Sequence, residues 1–405
     1  MNSELTIAIA LLITGVLVIL TILIRWGLEK SAIPSLAGYL LLGFLLRWFT
    51  LSVDLLNENV MSYLEFLGDI GIVVLLFRVG MESDLKGLIG QLQNATPIWV
   101  GNVMLSAILG YLASFYLLNY SLTTSLYIAV ALTATSVAVP VAVWRGAGAL
   151  DSSDGKLLLD AAELDDISAI ILMSLLFAVV PVLHTDSNGV LLSTVLSTGG
   201  ILLGKLVLLG CFCYAFARFL KPRLTKSLKR IAPIPDPLLM LVAIGFIISG
   251  LAGMIGFSIA LGAFFAGLVF SHDPKVSALD RPLNILHDLF TPFFFIVTGL
   301  KIDPQTVLSA IYPGTVLLIA AIAGKFLGTL GPALFRVGWR SSILLGVSMI
   351  PRAEIAMIVM RHGQETNHDT VPQEIFSAMV LVTAVTCIVP PLILNPMLLH
   401  QKRKD

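Results

Sequence analysis

Long apolar runs recur along the whole of this 405-residue chain, and they constrain its fold more than any other feature. An α-helix needs about 17–25 apolar residues to cross the hydrocarbon core of a bilayer, whereas the strands of a membrane β-barrel show only about 10 residues of alternating polarity. The runs of this chain match the helical pattern. Charged residues make up 12% of the chain, against about 25% in soluble proteins. The sequence therefore predicts an all-α polytopic membrane protein.

Turn residues between the runs divide the chain into predicted spans. The thirteen spans lie near residues 4–25, 33–50, 61–81, 94–118, 123–143, 156–181, 192–219, 238–254, 257–271, 284–300, 306–335, 341–362 and 374–400. Positive charge in the connections is uneven: eighteen Lys and Arg residues fall on one side, and only Arg47, Lys301 and Arg361 on the other. The positive-inside rule then predicts the N-terminus outside and the C-terminus in the cytoplasm, and we expect the inner membrane of a bacterium.

Two short motifs occur twice. Gly38-Tyr-Leu-Leu-Leu-Gly43 matches Gly262-Ala-Phe-Phe-Ala-Gly267, and Phe77-Arg-Val-Gly-Met-Glu-Ser-Asp84 matches Ile296-Val-Thr-Gly-Leu-Lys-Ile-Asp303. Both matches pair spans that are seven apart, and an odd offset places the copies upside down in the membrane, as in the inverted repeats of transporters. The predicted organisation is a single transmembrane unit, 1–405, with a first repeat at 1–181, a linking helix at 192–219 and a second repeat at 238–400.

The fifth and twelfth spans correspond under this repeat, and polar residues interrupt both at mid-length. The fifth contains Thr133-Ala-Thr-Ser136 followed by Pro140, and the twelfth contains Pro351-Arg-Ala-Glu354. Proline removes a backbone hydrogen bond, and irregular backbone at membrane depth occurs only where protein or a cavity surrounds it. Interrupted helices in corresponding positions indicate a binding site near the middle of the membrane.

The sixth span contains three acidic residues, Glu163, Asp165 and Asp166. A carboxylate at the bilayer centre costs about 2.5–3.5 kcal/mol on insertion scales, so such residues usually serve a function. Asp166 lies ten residues from Lys156 at the cytoplasmic end, or about 15 Å along a helix. Lys325 lies at a similar depth in the eleventh span. We predict an ion-binding role for Asp166 and a charge pair between Asp165 and Lys325.

Other polar residues in the interrupted spans have two interpretations each. Thr133, Thr135 and Ser136 are candidate cation ligands, although hydroxyl groups also hydrogen-bond within helices. Arg352 and Glu163 are expected to form an internal salt bridge in which Glu354 takes part, and for this bridge a structural role is favoured.

The chain resembles a known family in motifs that occur in a characteristic order. They are Leu67-Gly-Asp-Ile-Gly-Ile-Val-Val-Leu-Leu-Phe77, Ala131-Leu-Thr-Ala-Thr-Ser-Val137, Asp165-Asp166, Phe293-Phe-Phe-Ile-Val-Thr-Gly-Leu300, Gly324-Lys325 and Ile350-Pro-Arg-Ala-Glu354. They resemble the cation:proton antiporter superfamily, in particular its second branch, with the NapA-like sodium/proton antiporters and the membrane domain of Kef-type potassium systems.

This resemblance implies an NhaA/NapA-like antiporter fold with two crossed, discontinuous helices, and a homodimer. It also implies that Asp166 binds the cation or the proton and that Asp165 pairs with Lys325. Kef-type members usually have Gln before the essential Asp and carry a cytoplasmic nucleotide-binding domain. Here Asp165 takes the place of that Gln, and no cytoplasmic regulatory domain is expected within the chain.

The expected function is exchange of Na⁺ or Li⁺ for H⁺ by alternating access, with no cofactor and no nucleic-acid partner. Two alternatives remain open: K⁺/H⁺ exchange on the same scaffold, and a gated monovalent cation channel in which the same acids line a pore. A non-transporting scaffold would leave the mid-span charges unexplained. An enzyme is disfavoured, because the sequence contains no nucleophile, metal or cofactor motif.

Overall fold

A computed structural model describes most of the chain. The described residues are 3–28, 34–50, 58–82, 85–136, 138–185, 200–201, 204, 208–213, 215–220, 237–255, 257–271, 280–366 and 370–402. They form helices and connecting turns, and no strand occurs among them. The predicted all-α fold is therefore confirmed.

Fourteen α-helices are numbered here in chain order within the described ranges. They are α1 (Ser3–Leu28), α2 (Ser35–Thr50), α3 (Glu58–Glu82), α4 (Leu85–Leu112), α5 (Leu122–Thr133), α6 (Ala138–Gly146), α7 (Ser153–Thr185), α8 (Pro237–Met254), α9 (Ile259–Leu268), α10 (Asp280–Leu300), α11 (Val307–Val337), α12 (Trp339–Ser348), α13 (Glu354–Thr366) and α14 (Gln373–Lys402). Helix α4 continues into a π-helical turn, Ala113–Leu117.

These helices coincide with twelve of the thirteen predicted spans. Within the described ranges, eight stretches are long and apolar enough to cross a membrane, and α2, α8 and α9 are shorter apolar helices. The predicted linking helix, 192–219, lies largely outside the described residues. The chain is an integral membrane protein.

Both predicted interruptions occur, and the sequence explains where each one falls. Helix α5 ends at Thr133 and α6 begins at Ala138, so Pro140 lies in the first turn of α6, where a missing N–H costs nothing. Helix α12 ends at Ser348 and α13 begins at Glu354. Pro351 lacks an N–H and disfavours helical geometry at the residue before it, which keeps this segment unwound.

The chain divides into two compact units. The first consists of Met1–Met61, Lys86–Met173 and Phe295–Asp405, and the second of Ser62–Leu85 and Ser174–Phe294. In the first unit, α11 packs against α12 and α14, α13 packs against α5, and α14 packs against α6. All the residues predicted to form the site belong to this first unit. In the second unit, α8 packs against α9.

In each unit, one very close helix crossing lies at a pair of glycines from the repeated motifs. In the first unit, a side chain at Gly43 would overlap the Ile296 carbonyl, and one at Gly299 would overlap the carbonyl of Leu40. The second unit has the same arrangement: Gly267 lies against the Phe77 carbonyl and Gly80 against the Phe264 carbonyl. The repeated motifs equate Gly43 with Gly267 and Gly299 with Gly80. The two crossings are therefore the pair that the predicted repeat requires.

Candidate functional site

The site is built around the end of half-helix α5. The last carbonyl groups of a helix have no partner within it, and they form the negative end of its dipole. Two buried cations meet these groups. Lys325 of α11 donates a hydrogen bond from Nζ to the Thr133 carbonyl. Arg352 donates from Nη2 and Nε to the Leu132 carbonyl, at 2.9 and 3.3 Å. The interruption of the span therefore creates the acceptors that hold both cations.

Lys325 also pairs with an acid of α7. Its Nζ lies 2.8 Å from Asp165 Oδ2, and neither side chain has any exposed surface. These are the two residues for which the sequence predicted a charge pair. Two charges removed from water lose several kcal/mol each in solvation, so a fully buried pair persists only where further hydrogen bonds satisfy both groups. For Lys325, the Thr133 carbonyl supplies such a bond.

The second oxygen of Asp165 accepts a hydrogen bond from a residue that the sequence analysis missed. Asn102 of α4 is fully buried, and its Nδ2 lies 3.3 Å from Asp165 Oδ1. The available signal was a lone amide side chain inside the apolar fourth span, where an unpaired polar group is costly. What the sequence could not supply was its partner, because that depends on how α4 is rotated towards α7.

Asp166 follows directly on α7 and differs from Asp165 in its surroundings. It is half-buried, and its carboxylate makes no hydrogen bond or ion pair with another residue of the described part of the chain. It interacts electrostatically with Asp165, Glu354, Lys325 and Glu163. Since Glu354 is the first residue of α13, Asp166 lies near one of the unwound segments.

The three hydroxyl residues of the first interruption differ in what they can offer a cation. Thr133 Oγ1 donates back to the Val130 carbonyl at 2.7 Å, and Thr135 Oγ1 donates to the Met349 carbonyl at 3.3 Å. The Ser136 hydroxyl is buried and lies near the Glu354 carboxylate. It has no partner within normal hydrogen-bond distance among the described residues. Of the three hydroxyl groups, that of Ser136 is therefore the most available to bind a cation.

The two unwound segments are joined directly. The Ser136 N–H donates to the Pro351 carbonyl at 2.7 Å, next to the bond from Thr135 to Met349. The four half-helices α5, α6, α12 and α13 therefore end or begin close to one another. Two of these ends carry negative partial charge and two carry positive partial charge.

The salt bridge predicted between Arg352 and Glu163 is replaced by a different set of contacts. All three guanidinium nitrogens of Arg352 donate to main-chain carbonyls. Nε and Nη2 donate to Leu132, Nη2 donates also to Ala321 at 3.0 Å, and Nη1 donates to Ile350 at 3.1 Å. The prediction considered only carboxylates as partners. The free carbonyls of an interrupted helix are acceptors at the same depth, and the planar guanidinium donates to several of them at once.

The site carries more negative than positive charge. Two cations share it with four carboxylates, namely Lys325 and Arg352 with Glu163, Asp165, Asp166 and Glu354. With all six groups ionised there is an excess of two negative charges. Buried charge that lacks a counter-ion is strongly unfavourable, so protons or cations must compensate it. Chemically, such an arrangement can bind a monovalent cation and a proton in competition.

Comparison with known proteins agrees with this geometry. The family model described as "Sodium/hydrogen exchanger, transmembrane" matches residues 15–400. The chain belongs to this family. It is 27% identical to the high-affinity Na⁺/H⁺ antiporter NhaS3 of Synechocystis sp. over 337 residues, which cover 81% of this chain and 70% of that protein. It is 25% identical over 367 residues to the Na⁺/H⁺-K⁺ antiporter GerN of Bacillus cereus, covering 88% of each chain.

A solved structure shows the same fold in a distant member of the exchangers. The sodium proton antiporter MjNhaP1 from Methanocaldococcus jannaschii matches with a TM-score of 0.67 at 17% identity, covering 97% of this chain and 99% of that one. This match confirms the predicted antiporter fold, and the match to the family model confirms the predicted superfamily. The sodium/hydrogen exchangers are transporters, which agrees with the expectation that the chain is not an enzyme.

Proposed function

We propose that the protein exchanges Na⁺ or Li⁺ for H⁺ across the membrane by alternating access, with cation and proton competing for Asp166. The observation that carries the proposal is the half-buried Asp166 beside a fully buried Asp165–Lys325 pair, in a site with an excess of two negative charges. One cation or one proton on Asp166 reduces that excess by the same amount. Occupancy by either one therefore excludes the other, and alternating access turns this competition into antiport.

The remaining residues have distinct roles in this proposal. Asp165 and Lys325 form a charge pair that responds to the occupancy of Asp166. Ser136 supplies a hydroxyl oxygen to the cation, because its side chain lacks a hydrogen bond of normal length. Thr133 and Thr135 have engaged hydroxyls and therefore offer only main-chain oxygens to a cation, and the Thr133 carbonyl already accepts a hydrogen bond from Lys325. Hard monovalent cations prefer such oxygen ligands.

The organisation around the site completes the proposal. We infer a first repeat at 1–181, a linking helix at 192–219 and a second repeat at 238–400, and the matched glycine crossings support this division. We further propose a homodimer in a bacterial inner membrane, with the N-terminus outside and the C-terminus in the cytoplasm. The cation and the proton are substrates, and no resident cofactor is required.

Potassium is the second candidate substrate. The chain is similar to GerN, whose name includes K⁺ as well as Na⁺. A carboxylate and a few neutral oxygens bind either cation, so the relative affinity depends on the spacing of these oxygens. K⁺/H⁺ exchange on the same scaffold therefore remains the alternative to Na⁺/H⁺ exchange.

The test is exchange by the purified protein in proteoliposomes, scanned over Na⁺, Li⁺ and K⁺. Asp166→Asn removes the charge but keeps the size of the side chain, and we expect it to lower exchange at least about 100-fold, as expected when an essential proton-binding group is lost. Asp160→Asn is the matched control, because Asp160 is a half-buried acid on the same helix, six residues earlier.

Two outcomes would contradict the proposal. Full exchange by a folded Asp166→Asn variant would remove Asp166 from the mechanism. Cation flux down its own gradient without any proton movement would identify a channel instead. Exchange that proceeds with K⁺ and not with Na⁺ or Li⁺ would favour the second candidate.

A further inference from the structure

We propose that Asn102 is a positioning residue of the exchange reaction: it fixes the orientation of the Asp165 carboxylate and thereby contributes to the choice of cation. The inference rests on the proposed exchange of a monovalent cation for a proton, and it concerns a residue on α4, outside the acidic helix and both unwound segments. Neither the motifs nor the charge pattern of the sequence pointed to it.

The geometry assigns the two oxygens of Asp165 to two different donors. Lys325 donates to Oδ2 at 2.8 Å, and Asn102 donates to Oδ1 at 3.3 Å. The amide nitrogen of Asn102 must face the carboxylate, because its oxygen would repel a second oxygen. Lys325 is a charged donor on a flexible stem, whereas the short, neutral amide cannot leave by losing a proton. Asp165 therefore accepts one hydrogen bond from a group that can move or lose a proton, Lys325, and one from a group that stays in place, Asn102.

Helix α4 is held firmly at this depth. One turn before Asn102, Trp99 Nε1 donates to Ser168 Oγ at 2.9 Å, and the Ser168 hydroxyl donates to the Asp165 carbonyl at 2.9 Å. On the other side, a side chain at Gly328 of α11 would overlap the main chain at Gly101 and Asn102. Asn102 is thus clamped between the helix that carries Asp165 and the helix that carries Lys325.

The fixed donor has a consequence for the other oxygen. Because Asn102 holds Oδ1, Oδ2 stays aimed at the position of the Lys325 ammonium group whether or not the ammonium is there. That position is bounded by Asp165 Oδ2 and the Thr133 carbonyl. The Asp165 carboxylate therefore keeps one orientation beside Asp166, the residue at which cation and proton compete in the proposed function. A fixed arrangement of oxygens at and beside Asp166 favours one cation radius over others.

A packing role alone does not explain the amide. Asn102 is fully buried, and its Oδ1 has no hydrogen-bond partner among the described residues. A leucine of similar size would fill the space without leaving a buried carbonyl oxygen unsatisfied. The hydrogen bond from the Asn102 N–H group to the Asp165 carboxylate explains why an amide occupies this buried position. Arg352 and, on its own helix, Asp166 also interact electrostatically with Asp165.

The experiment compares Asn102→Leu with the wild type in proteoliposomes, measuring the apparent KM and maximal rate for Na⁺, Li⁺ and K⁺. A hydrogen bond to a charged group corresponds to about a tenfold change in affinity. We expect the apparent KM for the cation preferred by the wild type to rise about tenfold, while the maximal rate stays within about twofold of the wild-type value. The ratio of apparent KM values that separates this cation from the others should therefore shrink about tenfold. Ser106→Ala is the control: Ser106 is a fully buried polar residue of the same helix, four residues later, and its hydroxyl has no hydrogen-bond partner among the described residues, so this change should leave the preference for one cation unchanged.

The outcomes separate this inference from the proposed function. If the wild type shows no coupled exchange, the proposed function fails. If the wild type exchanges and a folded Asn102→Leu variant keeps its KM values and preference, the role assigned to Asn102 is wrong. Asn102→Ala serves the same purpose if the leucine variant does not fold. Should neither variant fold, or should Ser106→Ala change the preference for one cation equally, Asn102 is a packing residue and the inference is overturned.

Discussion

Removing one partner of the Asp165–Lys325 pair should destabilise the protein far more than removing both. Both side chains are fully buried, and their charged atoms lie 2.8 Å apart. Lys325→Met leaves the Asp165 carboxylate without its cation, at a cost of about 3–5 kcal/mol, and leaves the Thr133 carbonyl unsatisfied, at about 1 kcal/mol more. Asp165→Asn leaves the Lys325 ammonium group without its carboxylate. Because the Thr133 carbonyl still accepts a hydrogen bond from it, we expect a destabilisation of about 3 kcal/mol.

The double variant carries neither charge, and only the carbonyl of Thr133 loses a partner. Its destabilisation should therefore be about 1–2 kcal/mol. The effects of changing two residues in direct contact are not additive. The loss of unfolding free energy in the double variant should be at least about 3 kcal/mol smaller than the sum of the losses in the two single variants. The measurement is the free energy of unfolding in mixed micelles, obtained by titration with a denaturing detergent.

A second ion pair with the same separation provides the control. Lys301 Nζ also lies 2.8 Å from its partner, Glu365 Oε1, but the Glu365 side chain is 48% exposed. Exposed pairs contribute about 0–1 kcal/mol, so Lys301→Met and Glu365→Gln should show a coupling energy below about 1 kcal/mol. If the Lys325 and Asp165 variants are simply additive, or if the double variant is no more stable than Lys325→Met, the buried pair does not contribute as argued.

Three further predictions follow from the same structure. At pH values where Asp166 takes up a proton, the apparent KM for the transported cation should rise about tenfold for each unit by which the pH falls, with an unchanged maximal rate, because in the proposed exchange one proton displaces one cation at Asp166. A KM independent of pH would exclude competition. Arg352→Lys should lower the free energy of unfolding by about 2–4 kcal/mol, since an ammonium group cannot replace the guanidinium across separate carbonyls, and a neutral result would contradict the contacts seen here. Gly299→Ala should destabilise the protein by at least about 1–3 kcal/mol, because the added methyl group would overlap the main chain at the close helix crossing. Gly331 has open space around it, so Gly331→Ala should stabilise the protein by about 0.5–1 kcal/mol. Equal effects of the two changes would rule out the crossing as the cause.

The parts of this fold that sequence could predict are those determined by depth and by helix breaking. Proline and polar residues at mid-span locate the two interruptions, because the backbone chemistry that breaks a helix is local. Depth in the membrane depends only on the number of residues from the end of a span. That arithmetic is sufficient to bring Asp165 and Lys325 to the same level, and the cost of isolated buried charge makes their pairing the natural expectation.

The parts that sequence could not predict depend on rotation about each helix axis. Counting residues gives the height of Arg352 and Asn102 but not the direction in which either side chain points. Arg352 was assigned a carboxylate partner, although the predicted interruption of the fifth span already implied free carbonyls near Leu132 at that height. Asn102 was overlooked because its partner is determined by the packing of α4 against α7, which no local pattern reveals.

The two buried cations differ in a way that bears on how exchange proceeds. Arg352 keeps its proton under ordinary conditions, and its hydrogen bonds go to carbonyls on α5, on α11 and in its own unwound segment. Breaking those bonds would disturb three elements at once, so Arg352 holds the crossing together and stays in place. Lys325 divides its hydrogen bonds between one carbonyl and one carboxylate, and an amine can release both its proton and its partner. In the proposed exchange, the fixed charge of Arg352 compensates the dipole of α5 in every state of the cycle. Lys325 is then the positive charge able to respond when a cation or a proton reaches Asp166.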